Sequence, residues 1–436
     1  MKVLEKITEY GLYLFVFLLP WQTRLILREG NLNGYWEYGT ISIYATEILL
    51  WAIFLLTGIA WTIGKLKAQN SKLKITAQSS KLFYLIILFL VFYSLTLILW
   101  AGSRGLALYA WHWLAEGVGL FLVLRAVKFD VAKLMWAFVM SAGLQAGIGI
   151  WQFLSQETFS SKWLGMALHD PAVPGIFVVE TAFRRWLRAY GSLPHPNMLA
   201  GFLAAAMFFT IWLYQKTVKS FKKILLPAIF VILSFGLFAT FSKSVILGFS
   251  AAMILWLAGF FIFKKSREEK NYLLKFILIF IVVAAVFSVI FWEPVGTRIY
   301  GAERLEIKST AERLNYFDQA WQLIKNHPVL GVGLGNYTLA VHNEINPNLR
   351  AWDYQPVHNI YLLILAELGI MGLLLWLVLL FFIIKQLPIA HYPLLITILA
   401  IGLFDHYLWT LYFGVILFWL ILGMEKKNLD EPLDRS

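Results

Sequence analysis

Apolar runs of bilayer-spanning length recur along this chain, and they leave it very few folds. A helix needs about 20 apolar residues to cross the hydrocarbon, where backbone groups find no water and must bond within the protein. Twelve spans are expected, at 10–27, 41–63, 82–100, 106–124, 132–153, 193–214, 224–241, 244–263, 272–292, 358–384, 392–406 and 408–424. Charged residues are only 14% of the chain and hydrophobic ones 60%. A soluble domain carries about a quarter charged residues, so this chain cannot clothe a water-facing surface. The expectation is an all-α, polytopic integral membrane bundle of about 12 transmembrane helices, a single membrane domain over 1–436.

The basic residues set the expected orientation. Lys216, Lys219, Lys222 and Lys223 fall in one short connection, and Lys264, Lys265, Arg267 and Lys270 in another. Short loops rich in Lys and Arg stay on the cytoplasmic side, which puts both termini there and keeps the first helix as a retained span. The net charge of +12 is then a topology signal, not a nucleic-acid footprint. With no cysteine, thiolate metal sites and cysteine nucleophiles are excluded. Two large segments, 154–192 and 293–357, fall on the extracytoplasmic side. In the second, Ser309-Thr310-Ala311-Glu312 offers a cap for an amphipathic helix over 313–325, with Leu314, Phe317, Trp321 and Ile324 on its apolar face. Gly331, Gly333 and Gly335 follow in a tight loop.

Polar groups at that face need a reason, because a charge at the bilayer centre costs about 2.5–3.5 kcal/mol. Arg184, Arg185 and Arg188 lead into Pro194-His195-Pro196-Asn197 at the start of the sixth span. They either snorkel to headgroups or grip an anion, which guanidinium forks suit. Lys243, in a turn between two apolar helices, has the same two readings. Arg313 is expected to open the amphipathic helix, where the dipole disfavours a cation, so Glu312 or an external anion must compensate. His358 and Asn359 open the tenth span; the histidine is either a structural cap or a catalytic imidazole. Gly369 and Gly372 lie on one face of that span, where small residues permit close packing. Asp405-His406 reads as a local ion pair or a supporting pair. His342-Asn343-Glu344 offers too few ligands for a metal, no Asp-x-Asp occurs, and no glycine-rich nucleotide loop is present. No metal and no cofactor are expected. Transport is the rival class, but transporters place polar groups near the midplane on repeated or broken helices, and no repeat is visible.

Five stretches together carry a resemblance: Arg188-Ala-Tyr-Gly-Ser-Leu-Pro-His-Pro-Asn197, Ser242-Lys243-Ser244, Arg313 ahead of Trp321, His327-Pro-Val-Leu-Gly-Val-Gly-Leu-Gly-Asn-Tyr337, and His358-Asn-Ile-Tyr-Leu-Leu-Ile-Leu-Ala-Glu-Leu-Gly-Ile-Met-Gly-Leu373. From about residue 188 onward the chain resembles the O-antigen ligase and polymerase superfamily of bacterial envelope glycosyltransferases. The resemblance implies a metal-independent enzyme of GT-C-type helical fold in the bacterial cytoplasmic (inner) membrane. Such enzymes take a glycan from an undecaprenyl-diphosphate carrier on the extracytoplasmic side and pass it to an acceptor hydroxyl. The lipid A core is the first choice of acceptor, with the growing glycan or a protein Ser/Thr as alternatives. By that match His358 is the catalytic histidine and Arg313 binds pyrophosphate. Lys243 stands where the family usually has arginine, keeping the charge but losing the fork. Arg188, Asn197 and Asn359 complete the expected substrate-binding set, with His195 and Asp405 supporting it from behind.

Overall fold

The computed structural model describes residues 2–67, 78–217, 220–262, 267–386 and 392–424. Lys219, Lys264 and Lys265, with the C-terminal tail, lie outside these, so part of the charge argument falls on residues not described. The first half of the chain runs α1 (Lys2–Leu18), β1 (Arg24–Arg28), β2 (Ile41–Tyr44), α2 (Ala45–Lys67), α3 (Gln78–Thr96), α4 (Arg104–Ala126) and α5 (Val131–Ser155). After a long loop holding β3 (Val178–Glu180) and β4 (Arg185–Leu187) come α6 (Pro196–Lys216), α7 (Ser220–Ala239), α8 (Lys243–Ile262) and α9 (Arg267–Ile290). The remainder is α10 (Trp292–Tyr300), α11 (Arg304–Asn326), α12 (Tyr337–Ala340), α13 (Ile360–Gln386), α14 (Tyr392–Phe404), α15 (Tyr407–Thr410) and α16 (Tyr412–Gly423).

Among the described residues, nine helices, α2 to α9 and α13, are long and apolar enough to cross a membrane. Helices α14 and α16 are apolar but shorter, so two of the expected spans are not of full length. The first span, expected at 10–27, is corrected too. α1 stops at Leu18, and the chain turns into an antiparallel hairpin of β1 with β2, pairing Arg24 with Tyr44. The Leu-Ile-Leu run of β1 includes a β-branched residue that suits a strand, and its apolar residues extended the hydrophobic run in the sequence.

Helix α6 is the axis of the bundle: every residue from Pro196 to Tyr214 is buried. It is apolar all round, with Ala200, Gly201, Ala204, Ala205 and Ala206 letting neighbours approach closely. The irregular segment leading into it is buried as well, from Ala189 to Leu193. Backbone that is neither helix nor strand needs partners there, and α5 supplies them. Gln152 Oε1 accepts from the amides of Tyr190 (3.0 Å) and Gly191 (2.9 Å), and its Nε2 donates to the Gly191 carbonyl (2.8 Å). Gln145 Oε1 accepts from the Ser192 amide at 2.7 Å.

Helix α13 is broken at Gly369, whose φ of 66° and ψ of −172° lie outside helical geometry. The break frees carbonyls of the preceding turn, and the loop after α11 takes them up. Val332 N donates to Ala366 O and Gly333 N to Glu367 O, each at 2.9 Å, while Tyr93 Oη donates to Leu368 O at 2.9 Å. Beyond the break, Ile370 N donates to Pro328 O at 3.0 Å. Gly369 is therefore a chain break rather than a packing glycine on a continuous face, which corrects the sequence reading. A Cβ there would overlap the Val329 carbonyl.

The hairpin, the segment before α6, the α7–α8 turn, the segment from α10 to the start of α13, and the α14–α15 turn all meet at one end of the bundle. Ser192 Oγ donates to Pro20 O (2.9 Å), Ala189 N to Ala239 O (2.9 Å), and Asn33 Nδ2 to Pro347 O (2.9 Å).

Candidate functional site

At this end a hydrogen-bonded row runs from an arginine to a histidine. Arg188 is buried, its Nε donating to Thr240 O at 2.6 Å and its Nη2 to Asn197 Oδ1 at 2.8 Å. Asn197 Nδ2 donates in turn to Asp405 Oδ2 at 2.7 Å, and Asp405 Oδ1 accepts from the His406 amide at 2.8 Å. The buried His406 ring holds Thr410 Oγ1 at 2.8 Å through Nδ1 and packs edge-on against the His358 ring, centroids 5.0 Å apart. Tyr316 of α11 stacks on the His358 ring, centroids 5.7 Å apart. His358 Nδ1 is buried and makes no hydrogen bond of good geometry among the described residues, the ring's only backbone interaction being with Pro356. An imidazole held in this way by packing is chemically able to take up or pass on a proton.

The local sequence explains each position. His195 caps α6, its Nδ1 accepting from the Asn197 amide at 2.9 Å, with Pro196 at the first helical position. That cap holds Asn197 at the helix mouth. Asn359 caps α13: its Oδ1 accepts from the Leu362 amide at 3.0 Å and its Nδ2 donates to Leu403 O at 3.3 Å. Asn359 thus fixes the residue beside it, His358, and ties α13 to the end of α14. Both amide ends of Asn197 and of Asn359 are engaged within the protein.

The electrostatics follow from burial. His358 is held below the usual imidazole range, mainly by burial, with Arg313 adding to the effect and Asp405 opposing it. Burial likewise brings His195 and His406 down to about 3. Asp405 is held below the usual carboxylate range; burial acts to raise it, but the neighbouring rings and the Asn197 amide outweigh that. Arg188 is lowered to about 9 by burial and by the charges of Arg298 and Arg313, and stays cationic at neutral pH.

The cations gather around the turn from α7 to α8. Arg298 Nη2 donates to Phe241 O at 2.8 Å, next to the Thr240 carbonyl that holds Arg188. Arg298 and Lys243 share one counter-ion, Glu306, which lies 3.0 Å from Lys243 Nζ. Although burial acts to raise it, Arg298 and Lys243 hold Glu306 below the usual carboxylate range. Arg184 and Arg185 are not part of this group. Arg184 lies over the Trp186 ring at 3.4 Å, and Arg185 donates to Ala172 O at 2.9 Å.

Arg313 needs a correction. Helix α11 begins at Arg304, more than two turns earlier than expected, so Arg313 does not open it and the dipole argument lapses. The charge is exposed, and its field reaches both Arg188 and His358. Glu312 lies 3.4 Å from Lys308. The helix buries Tyr316, Gln319, Ala320, Leu323 and Ile324; of the apolar face expected, Leu314, Phe317 and Trp321 are exposed. Glu344, considered with His342 as a ligand pair, instead bonds His327 at 2.9 Å.

Sequence reasoning missed Arg298, Glu306, Tyr316 and the buried glutamines of α5. Two glutamines seven residues apart in an apolar helix are a signal that such a side chain serves someone else's backbone. It also missed Glu47, His112 and Glu116, which meet between α2 and α4: His112 Nε2 lies 2.9 Å from Glu47 and 3.1 Å from Glu116. This trio could hold a metal by its atom spacing, though its groups already bond one another.

Residues 228–377 match the family described as O-antigen ligase, which supports the resemblance to that superfamily. The matched stretch contains Lys243, Arg298, Glu306, Arg313, His358 and Gly369. No curated protein matches the chain.

Proposed function

We propose, for a chain whose residues 228–377 match the O-antigen ligase family, that it transfers a glycan from undecaprenyl diphosphate to an acceptor hydroxyl. The reaction takes place on the extracytoplasmic side of the bacterial inner membrane, with both termini in the cytoplasm. The observation that carries the reading is that His358, packed against Tyr316 and His406, feels the charge of Arg313 at the same end of an apolar bundle where Lys243 and Arg298 gather.

In this reading Arg313, Lys243 and Arg298 hold the lipid diphosphate. Arg188 is too enclosed to touch it and instead sets the α7–α8 turn and Asn197. His358, kept neutral by its surroundings, accepts the proton of the acceptor hydroxyl as that oxygen bonds the anomeric carbon. The bond from that carbon to the diphosphate oxygen breaks, and the lipid diphosphate leaves with the electron pair. Preorganised cations stabilise the charge developing on it, and Asp405 steadies the imidazolium that forms. General-base action of this kind contributes about 10²–10⁴-fold. Side-chain cations serve the leaving group, so no step is assigned to a metal, and the helical architecture fits the GT-C type.

The test is transfer by the purified protein from undecaprenyl-diphosphate glycan, with lipid A core, free glycan or a Ser/Thr peptide offered separately and chelator present. Transfer to one acceptor class under chelation supports the reading; transfer abolished by chelator removes the metal-free mechanism.

A further inference from the structure

Beside His406 lies a cleft that the reaction above does not use. Its walls include Arg24 and Glu37 of the N-terminal hairpin region, Tyr38, Tyr109 and Trp113 of α4, and Trp409 of α15. We propose that this cleft seats the acceptor as a neutral saccharide, its ring against the aromatic wall and one hydroxyl delivered toward His358. The inference rests on the transferase reading and adds to it the place and chemistry of the second substrate.

The cleft's position comes from the contacts at its rim. Tyr38 Oη donates to Gln355 Oε1 at 2.8 Å and lies 3.5 Å from His406 Nε2. Pro356, two residues before His358, and Thr410, bonded to His406, are also in the lining. The row of bonds that begins at Arg188 therefore ends at the cleft. The Arg188 end of that row adjoins the cations of the α7–α8 turn and the His406 end adjoins the cleft, and His358 packs against His406.

Its chemistry selects a neutral, hydroxyl-rich ligand. The lining cation is already paired: Arg24 bonds Glu37 at 2.5 and 3.1 Å, and Tyr35 Oη donates to Glu37 at 2.6 Å, while the second lining carboxyl, Glu367, accepts from Trp409 Nε1 at 2.8 Å. The Arg24–Glu37 pair offers spare acceptor and donor positions without a net charge to attract an anion. The indole nitrogen of Trp113 is buried and has no hydrogen-bond partner among the described residues. A sugar ring presents an apolar C–H face to aromatic side chains and hydroxyls to polar ones, and this lining offers both kinds of group.

The experiment uses the full-length purified protein with undecaprenyl-diphosphate glycan as donor and a titrated acceptor oligosaccharide. Trp113→Phe and Glu37→Gln should each raise the acceptor KM about tenfold, the scale of one lost hydrogen bond. Donor KM and the slow hydrolysis of donor by water should not change. An unchanged acceptor KM, or a rise in donor KM alone, overturns the assignment. A photoreactive acceptor analogue on the wild-type protein gives a second arm independent of variant folding. Labelling of 24–44 and α4 supports the proposal, and labelling confined to the α7–α8 turn overturns it. If the wild-type protein transfers to no acceptor yet the analogue labels the cleft, the transferase reading fails and the saccharide site stands.

Discussion

Asn197 Nδ2 donates to the Asp405 carboxylate across 2.7 Å, joining residues 208 positions apart in the chain. Its other amide end takes the Arg188 guanidinium at 2.8 Å. One side chain therefore relays between the cation cluster and the histidine cluster. Asn197→Asp sets a carboxylate against Asp405, and two neighbouring carboxylates cannot both ionise freely. We expect turnover to fall about 10–100-fold, the scale of one buried polar group left unsatisfied, with the protein still inserted and folded. Full activity in Asn197→Asp, measured by glycan transfer, would show that the relay is incidental.

The pH profile follows from the imidazole. A proton-accepting histidine works only in its neutral form, and His358 is held below the ordinary value of 6.5. The transfer rate should be flat from neutral pH upward and fall only in acid, at a pH below 6.5. A decline that begins above that value as pH is lowered would contradict a buried, neutral base. Stability moves the same way. His195 and His406 sit at about 3 when folded, against 6.5 when unfolded. Their contribution is fully present above pH 6.5 and is lost as pH falls toward 3, so the unfolding temperature should drop through that window.

Arg298 and Lys243 bind the same carboxylate from different depths. The Arg298 side chain is 19% exposed and also bonded to Phe241 O, whereas Lys243 is 48% exposed. Arg298→Ala should therefore raise the donor KM more than Lys243→Ala, by about tenfold or above for a lost charged hydrogen bond. Lys243→Arg should be tolerated or improve donor use. Equal effects of the two alanine variants would remove the distinction.

Gly369→Ala attacks the scaffold. A residue with a Cβ is strained at φ 66° and ψ −172°, and this Cβ meets the Val329 carbonyl. Such strain costs about 1–3 kcal/mol before any overlap. We expect a lower unfolding temperature and reduced protein level. A variant as stable as wild type would mean that α13 tolerates a continuous helix.

The bundle was legible because a membrane leaves helices little freedom, and apolar run length reports them directly. Its exceptions were not. The hairpin after α1 was hidden because Leu25, Ile26 and Leu27 lengthened an apolar run without belonging to its helix. The break at Gly369 was hidden because its cause, the carbonyl-binding loop at 328–333, lies in another part of the chain. His358, Arg313, Asn197 and Asp405 could be picked out as polar groups in costly places. Arg298 could not, since what gives it meaning is the Phe241 carbonyl and Glu306, both supplied by tertiary packing. The early start of α11 shows the same limit, because a plausible cap at Ser309 lay inside a helix whose first turns are anchored by the distant partners of Arg304 and Glu306, Glu180 and Lys243.

The most direct test compares wild type with His358→Gln in purified form, following release of undecaprenyl diphosphate and appearance of glycan on the acceptor in the same reaction. The account predicts that the variant binds donor with near wild-type affinity while transfer falls about 10²–10⁴-fold. Transfer at the wild-type rate by His358→Gln would contradict it.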